Sequence, residues 1–264
     1  MAEETRALVI VGGGNMGAAL VGGLLAAGSP PSTIAIAEAL PARCDQLRQM
    51  FPGVDIGADL RACAAAVIAV KPPDVPTAVA AAAAAGATRI LSIAAGVPLA
   101  TLQSAAGPSV AVVRAMPNTP ALVGAGASAI AAGATAGDED MAWAAAVLGA
   151  VGTVERVGEH LLDAVTALSG SGPAYLFLVA EALIDAGVTA GLPRPLAASL
   201  TTQLFVGSSA LLADRGDPAA LRAMVTSPAG TTAAGLAVLE SHAVRAAFAA
   251  AVAAAAARSA ELGG

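Results

Sequence analysis

Residues 227–232, SPAGTT, bring three hydroxyl side chains together with no acid or base among them. A hydroxyl group both donates and accepts hydrogen bonds, but it is a poor acid or base near neutral pH. The cluster is therefore suited to orienting a polar substrate and unsuited to deprotonating one. Helix capping by serine or threonine, with proline in the first turn, is the alternative explanation for this motif and for SGSGP at 169–173.

A glycine motif, GGGNMG at residues 12–17, directly follows the first predicted strand and opens a helix. In such a motif the first glycine permits a tight turn, the second lets the backbone approach a pyrophosphate, and the third allows close helix packing. The helix N terminus adds unpaired N–H groups. We therefore expect dinucleotide contacts, with an unliganded turn as the alternative, at Gly12, Gly14, Asn15, Met16 and Gly17.

An acidic residue, Glu38, ends the second predicted strand, where a carboxylate can bind the adenosine ribose of a dinucleotide. It favours NADH, because it would repel the 2′-phosphate of NADPH. Arg43 lies a few residues further along and could pair with that phosphate instead. The choice between NADPH and NADH stays open, and solvated side chains at both positions are the alternative.

Side chains that could take a proton from an alcohol substrate are few, namely Lys71, His160, Tyr175 and His242. The histidines are expected at the surface or at helix ends, and the tyrosine in the core. An imine, by contrast, can arrive already protonated, and its reduction requires positioning more than a strong acid or base. The hydroxyl cluster fits this task, which favours reduction of an imine over oxidation of an alcohol.

The elements that must position these residues alternate in the first half of the chain. Short β-branched runs predict strands at 7–12, 33–38, 66–71, 89–94, 110–115 and 152–157, and helices are predicted at 15–27, 41–50, 74–85 and 98–105. This alternation is typical of an α/β fold whose parallel sheet is covered on both faces, here a Rossmann-type domain.

The second half of the chain is predicted to be helical throughout. Helices are expected at 160–168, 172–190, 194–214, 218–225, 230–240 and 242–261, separated by turn signals such as GLPRP and RGDP. We therefore predict a dinucleotide-binding domain at 1–158 and an all-α dimerisation and substrate domain at 159–264.

The composition bears on membranes, nucleic acids and cellular location. The chain is 57% hydrophobic, but the uncharged run 115–137 contains prolines and glycines, and the run 246–257 is too short to span a bilayer. A net charge of -6 without a basic cluster argues against nucleic acid. With no signal peptide recognised, we expect a cytoplasmic protein that contacts no membrane.

The chain has two cysteines and few aromatic residues. Cys44 and Cys63 lack the spacing of metal ligands, so we expect buried thiols and no metal site. Alanine-rich helices bury little area each, and aromatic residues make up 2% of the chain, so a stable core is expected to need a partner surface. We therefore predict self-association.

The chain resembles the pyrroline-5-carboxylate reductase family over nearly its whole length. The resemblance is carried by VGGGNMG (11–17), AVKP (69–72), SIAAGV (92–97), RAMPNTPALVGAG (114–126), LDAVTALSGSGPAY (162–175), GLPR (191–194) and VTSPAGTT (225–232). It implies reduction of 1-pyrroline-5-carboxylate to L-proline, the last step of proline biosynthesis, with NADPH or NADH. It also implies dimers interlocked through the helical half, often assembled into rings.

The same resemblance assigns roles to residues. It implies cofactor contacts at Ala69, Val70, Lys71, Pro72, Ile93, Ala94, Ala95, Met116, Pro117 and Asn118. It implies substrate contacts at Glu159, Gly230, Thr231 and Thr232, with Ser227 and Thr232 in the catalytic loop. Backbone N–H groups of that loop would hold the substrate carboxylate, and the Thr232 hydroxyl would lie beside the ring nitrogen.

Two departures from the family pattern and two rival functions remain. Ala229 replaces the first glycine of the usual SPGGTT, which costs about 1 kcal/mol if that position requires a positive φ. SHAVR (241–245) replaces a glycine-rich stretch and brings in His242.

One rival function is that of a β-hydroxyacid dehydrogenase, which would use a lysine in the helical half, where this chain has none. The other is a dinucleotide-binding protein without catalysis.

Overall fold

The computed structural model describes residues 5–263. An eight-stranded sheet has the strand order β3-β2-β1-β4-β5-β6-β7-β8. The strands are β1 (Arg6–Val11), β2 (Ile34–Ala37), β3 (Asp55–Gly57), β4 (Cys63–Ile68), β5 (Arg89–Ser92), β6 (Ala111–Met116), β7 (Gly126–Ala132) and β8 (Gly152–Arg156). The strand β1 has β2 on one side and β4 on the other. Strands β2 and β3 thus extend the sheet to one side of β1, and the strands from β4 onward extend it to the other, which makes β1 the topological switch point. The crevice outside the carboxyl ends of strands at such a point is where open α/β sheets bind ligands.

The sheet departs from the predicted parallel arrangement at one edge. All pairings from β3 through β6 are parallel, but β7 runs antiparallel to β6, and β8 is parallel to β7. Neither β3 nor β7 was predicted from the sequence. The β7 sequence, GASAIAA, is mostly alanine and glycine, which are depleted in strands, so its pairing partner and not its own propensity determines its structure.

Helices cover both faces of this sheet. They are α1 (Asn15–Ala26), α2 (Pro41–Met50), α3 (Val75–Ala84), α4 (Leu99–Ala106), α5 (Asp138–Gly149) and the single turn α6 (Leu162–Val165). Successive strand residues alternate between two apolar clusters, with Ile10 and Val67 in one and Val9 and Ile68 in the other. The central strands are therefore buried on both faces, as the run of apolar residues in each predicts.

The second compact unit is entirely helical in the described part of the chain. It contains α7 (Gly172–Thr189), α8 (Arg194–Arg215), α9 (Pro218–Met224), α10 (Thr231–Ser241) and the first part of α11 (Val244–Leu262). The predicted helix bounds agree with these to within two residues, because proline or glycine lies near most of the helix ends.

The contacts within the chain place the division between units inside the helical half. Residues 172–253 form one unit, whereas the described residues up to 171 and residues 254–263 form the other. The domain boundary between residues 158 and 159, expected from the sequence, stays a prediction.

Many apolar side chains of the helical unit are exposed in the single chain. Phe177 and Leu178 on α7 are 65% and 66% exposed, and Leu204 on α8 is 54% exposed. Residues 159–189 and α8 are each long and apolar enough to cross a membrane by length and composition alone. Both segments lie outside the runs 115–137 and 246–257, so their apolar character requires an explanation of its own.

Candidate cofactor and substrate site

The glycine loop after β1 has the geometry that a bound pyrophosphate requires. Gly12 has a φ of +104°, and a Cβ on it would lie 2.6 Å from the carbonyl oxygen of Ala69. A Cβ on Gly17 would collide with the Gly12 carbonyl oxygen. Around Gly14, by contrast, no atom lies within 4 Å of the Cβ position, so the backbone is open to a ligand. The motif thus packs tightly at two glycines and leaves space at the one where a phosphate would approach.

The start of α1 supplies unpaired donors beside that space. Gly14 is the N-cap residue, no side chain caps the helix, and the first turn, which contains Asn15 and Met16, holds no acidic residue. The N–H groups and the positive end of the helix dipole therefore remain available to an anion.

The acidic residue at the end of β2 binds the glycine loop directly. Glu38 Oε2 accepts a hydrogen bond from the Gly13 N–H at 2.8 Å, and Oε1 accepts one from Leu40 N–H at 2.9 Å. Arg43 Nε donates to the Gly13 carbonyl oxygen at 2.7 Å. Both polar groups of Gly13 are thus held by side chains, which fixes a carboxylate and a guanidinium next to the loop.

The loops that follow β4 and β5 lie at the same edge of the sheet. The Ala69 N–H donates to Val11 O at 2.8 Å, and Ile93 N–H donates to Ile68 O at 3.1 Å. Ile93 and Ala94 are buried in the two core clusters, so little of either residue is open to a ligand. The remaining residues assigned to these loops are Val70, Lys71, Pro72 and Ala95.

A cavity of about 310 Å³ adjoins these loops within the same unit. Pro72, Ala95 and Gly96 line it on the side of the sheet, and Thr166 and Ser171 line it on the side of SGSGP. The end of α11 completes the wall with Ala255, Arg258, Ser259 and Leu262. Sequence reasoning did not assign a role to Ser171, although its motif was recognised as a hydroxyl-rich helix start.

The turn after β6 holds Met116, Pro117 and Asn118 next to SGSGP. Asn118 Nδ2 donates to the Ser169 carbonyl oxygen at 3.1 Å, and its Oδ1 accepts a bond from Ala127 N–H at 2.8 Å. The Asn118 side chain is therefore engaged with protein at both ends of its amide.

Glu159 is engaged with protein in a similar way. Its Oε1 accepts hydrogen bonds from the Leu99 N–H at 2.6 Å and from the buried guanidinium of Arg114 at 2.9 Å. These contacts join the segment before α6 to the start of α4 and to β6. No sequence pattern indicates this pairing, because the three residues are far apart along the chain.

The hydroxyl cluster lies at the start of α10 in the helical unit. Gly230 is the N-cap residue, and no side chain caps the helix. Ser227, Thr231 and Thr232 are exposed, and among the described residues none of their side chains has a hydrogen-bond partner. Helix capping therefore does not account for these hydroxyls, and both they and the first N–H groups of α10 are available to a ligand.

Ala229 adopts a φ of +56°, in the left-handed region. The strain expected from replacing glycine at this position is therefore present. Ala243, at the other end of α10, has a φ of +53° and lies in the stretch that departs from the glycine-rich family pattern.

The cysteines form no candidate site. Cys44 and Cys63 are both buried and free, and burial raises the pKa of the Cys63 thiol. Among residues 5–263 no group of three histidine, cysteine or acidic side chains could hold a metal ion.

Two family descriptions match this chain. Residues 159–262 match the family described as pyrroline-5-carboxylate reductase dimerisation. Residues 7–96 match the family described as NADP oxidoreductase, coenzyme F420-dependent. The exposed apolar faces of α7 and α8 fall within the dimerisation match, so self-association explains why these helices are apolar.

Curated relatives and solved structures agree with these matches. The pyrroline-5-carboxylate reductase of Synechocystis sp. is 45% identical over 97% of this chain and 98% of that protein, and the one from Mycobacterium tuberculosis is 41% identical over 97% and 96%. The structure of a pyrroline-5-carboxylate reductase from Coxiella burnetii has a TM-score of 0.91 at 34% identity, covering 99% of this chain and 100% of that one. The Plasmodium falciparum pyrroline carboxylate reductase with NADP bound has a TM-score of 0.85 at 28% identity, with full coverage of both chains.

Proposed function

This chain belongs to the pyrroline-5-carboxylate reductase family, and from that premise we propose that it reduces 1-pyrroline-5-carboxylate to L-proline in the cytoplasm with NADPH or NADH. The observation that carries the proposal is the start of α10, where exposed hydroxyls and uncapped N–H groups lie together with no acid or base among them. An iminium substrate requires only such groups, whereas a hydroxyacid requires a base.

The reaction is a two-electron reduction of a carbon–nitrogen double bond. A hydride adds to the iminium carbon, the π electrons of the bond become the nitrogen lone pair, and the proton already on nitrogen stays there. When bound, the reduced nicotinamide supplies the hydride. The chain's own residues have to hold the substrate in the reactive orientation. In well-oriented reactions such positioning lowers the activation barrier by about 7–11 kcal/mol.

The cofactor residues divide by the atoms they offer. Gly12, Gly14 and Gly17, with the first turn of α1 at Asn15 and Met16, would hold the pyrophosphate through main-chain N–H groups. Glu38 and Arg43 would face the adenosine ribose. The nicotinamide end would lie against the loops after β4, β5 and β6 and against the main chain of Asn118, whose amide is bonded to protein at both ends. The loop residues are Ala69, Val70, Lys71, Pro72, Ile93, Ala94, Ala95, Met116 and Pro117.

The substrate residues belong to the SPAGTT segment. The main-chain N–H of Thr231 would bind the carboxylate next to Gly230, whose own N–H donates to the Ser227 carbonyl oxygen at 3.1 Å. The Thr232 hydroxyl would accept a hydrogen bond from the iminium nitrogen. The Ser227 hydroxyl, at the start of the segment, would help to orient the bound substrate. Glu159 would act on the substrate side through its second carboxylate oxygen, because Oε1 already accepts two hydrogen bonds.

One assay separates this function from its rivals. Purified protein is mixed with NADPH, and in parallel with NADH, and absorbance at the nicotinamide band is followed after 1-pyrroline-5-carboxylate is added. Consumption of the dinucleotide with formation of proline supports the proposal. A protein that binds the dinucleotide without turning it over, or that oxidises a hydroxyacid instead, would contradict it.

A further inference from the structure

The segment between α6 and α7 forms a π-helical turn, Thr166–Gly170. The Ser171 N–H donates to the Thr166 carbonyl oxygen at 2.8 Å, which closes a wider ring than an α-helical turn. Such π turns are rare and are often found at functional sites. Thr166, the first residue of this turn, and Ser171, which follows it, both line the cavity next to Pro72 and Ala95.

Asn118 holds this turn from the side of the sheet. Its amide nitrogen donates to the carbonyl oxygen of Ser169, the third-last residue before α7, while its amide oxygen is fixed by Ala127 N–H. The side chain is only 9% exposed. A buried amide with both ends bonded is held in one orientation, so it sets the position of the carbonyl group that it binds.

Met116 contacts the next residue of the turn. A Cβ on Gly170 would lie 2.5 Å from the Met116 methyl carbon, so the absence of a side chain lets the two segments approach closely. Met116 and Asn118 therefore contact two consecutive residues, Gly170 and Ser169, directly before Ser171.

We propose that Asn118 is a positioning residue for the imine substrate: by binding the Ser169 carbonyl it fixes the π turn and so directs Ser171 toward the cavity. This inference rests on the proposed function. It differs from a cofactor contact, because the amide acts through Ser169 and not on the dinucleotide. Loss of the amide donor should therefore weaken use of the substrate and leave dinucleotide affinity unchanged.

Asn118→Asp is the decisive variant. It keeps an oxygen for the Ala127 N–H but places a second oxygen against the Ser169 carbonyl, provided that the assay is run near pH 8.5, where the carboxyl is ionised. We expect KM for 1-pyrroline-5-carboxylate to rise by about tenfold or more, since one hydrogen bond is replaced by a repulsion. The Kd of NADPH, from calorimetry, should stay within about twofold, and amide exchange of residues 169–171 should become faster.

Gln103→Glu is a matched control. Gln103 Nε2 donates to Thr135 Oγ1 at 3.1 Å, and its Oε1 accepts from Ala134 N–H at 3.1 Å, so it also joins two segments through both ends of an amide. None of these residues lines the cavity. The same chemical change there should leave KM and exchange at 169–171 as in the wild type.

Two results would overturn the inference. An NADPH Kd that rises in parallel with KM would make the Asn118 side chain a cofactor contact, and unchanged KM and exchange would remove that side chain from the site. If Asn118→Asp does not fold, Gly170→Ala tests the same link, because the new methyl pushes the turn away from Met116, and an unchanged KM there also overturns it. Wild-type protein that fails to reduce the substrate contradicts the proposed function alone, since the exchange measurement still tests the contact.

Discussion

Glu38 accepts a hydrogen bond from the main-chain N–H of Gly13, so the acidic residue at the end of β2 is tied to the glycine loop itself. Because this hydrogen bond holds the carboxylate in one position, the carboxylate cannot rotate away from the 2′-phosphate of a bound NADPH. Cofactor preference is therefore expected to depend on its charge.

Glu38→Gln removes that charge and keeps an oxygen for the Gly13 N–H. A like-charge contact of about 1 kcal/mol corresponds to roughly a fivefold change, so the ratio of kcat/KM for NADPH over NADH should rise by about that factor. Glu38→Ser, which also loses the hydrogen bond, should shift the ratio in the same direction and lower the affinity for both cofactors. Steady-state kinetics with each cofactor measures this, and identical ratios in all three proteins would show that the Glu38 charge does not act on the 2′ position of the cofactor.

Gly14→Val tests the open space in the glycine loop. The side chain would enter the volume where a pyrophosphate approaches, and an unfavourable contact of about 1.4 kcal/mol already lowers affinity tenfold. We expect NAD(P)H affinity by calorimetry to fall by at least about that factor while the fold survives. Gly149→Val is the control, because its Cβ position is equally open but lies at the end of α5. Equal binding by the two variants would place the dinucleotide elsewhere.

Ala229→Gly should stabilise the protein by about 1 kcal/mol, because glycine adopts a positive φ without the penalty that alanine bears. Ala243→Gly, at the other strained end of α10, should give a gain of similar size. Ala234→Gly, inside the same helix, should lose about 1 kcal/mol. Denaturant unfolding of the three variants measures these differences, and a uniform loss in all of them would mean that φ at Ala229 and Ala243 causes no strain.

Thr232→Ala tests the hydroxyl assigned to the ring nitrogen. A hydrogen bond that involves a charged group contributes about 1.5–3 kcal/mol, so kcat/KM should fall by roughly 10- to 150-fold. Thr232→Ser keeps the oxygen and should retain most of the activity, and cofactor affinity should hardly change in either variant. The measurement is kcat/KM of the wild type and both variants, with the active-site concentration determined by cofactor titration. Near-equal kcat/KM values for alanine, serine and threonine at this position would exclude Thr232 from the mechanism.

Phe177→Glu tests self-association through the helical unit. A charge on this exposed aromatic face of α7 should weaken the dimer, because it would have to be desolvated on assembly. Light scattering at micromolar concentration should show a dimer or larger assembly for the wild type and smaller species for the variant. Val123→Glu is the control at an exposed apolar residue outside the helical unit. A monomeric, active wild type would contradict the predicted dimer.

Much of this architecture follows from local pattern. The strand before GGGNMG is β-branched and the helix after it is rich in small residues, so β1 and α1 are predicted from the sequence. The antiparallel strand β7 was missed because its alanines and glycines do not prefer a strand and are held there by β6. The helix α5 was missed although Asp140 Oδ2 accepts a bond from the Gly137 N–H at its start, a signal that the sequence does contain.

The site was predictable only where a motif is contiguous. The glycine loop and the position of Glu38 at the end of β2 could be predicted from spacing, because a strand, a turn and a helix follow each other directly, whereas their cofactor roles stay predictions. The contacts of Arg114 with Glu159, and of Asn118 with Ser169, join residues distant in sequence and depend on how the strands are ordered in the sheet. Side-chain pairs of this kind leave no periodic pattern, so they become visible only in three dimensions.

The return of the end of α11 to the first unit has a consequence for biosynthesis. Residues 172–253 are inserted between two parts of that unit, and Ser259 Oγ donates to Asp163 Oδ1 at 2.7 Å to join them. As the ribosome releases a chain from its N terminus, the sheet can form early. The cavity wall made by Ser259 and Leu262 can close only after residues 254–263 have left the exit tunnel, so this site is completed after translation of the whole helical unit.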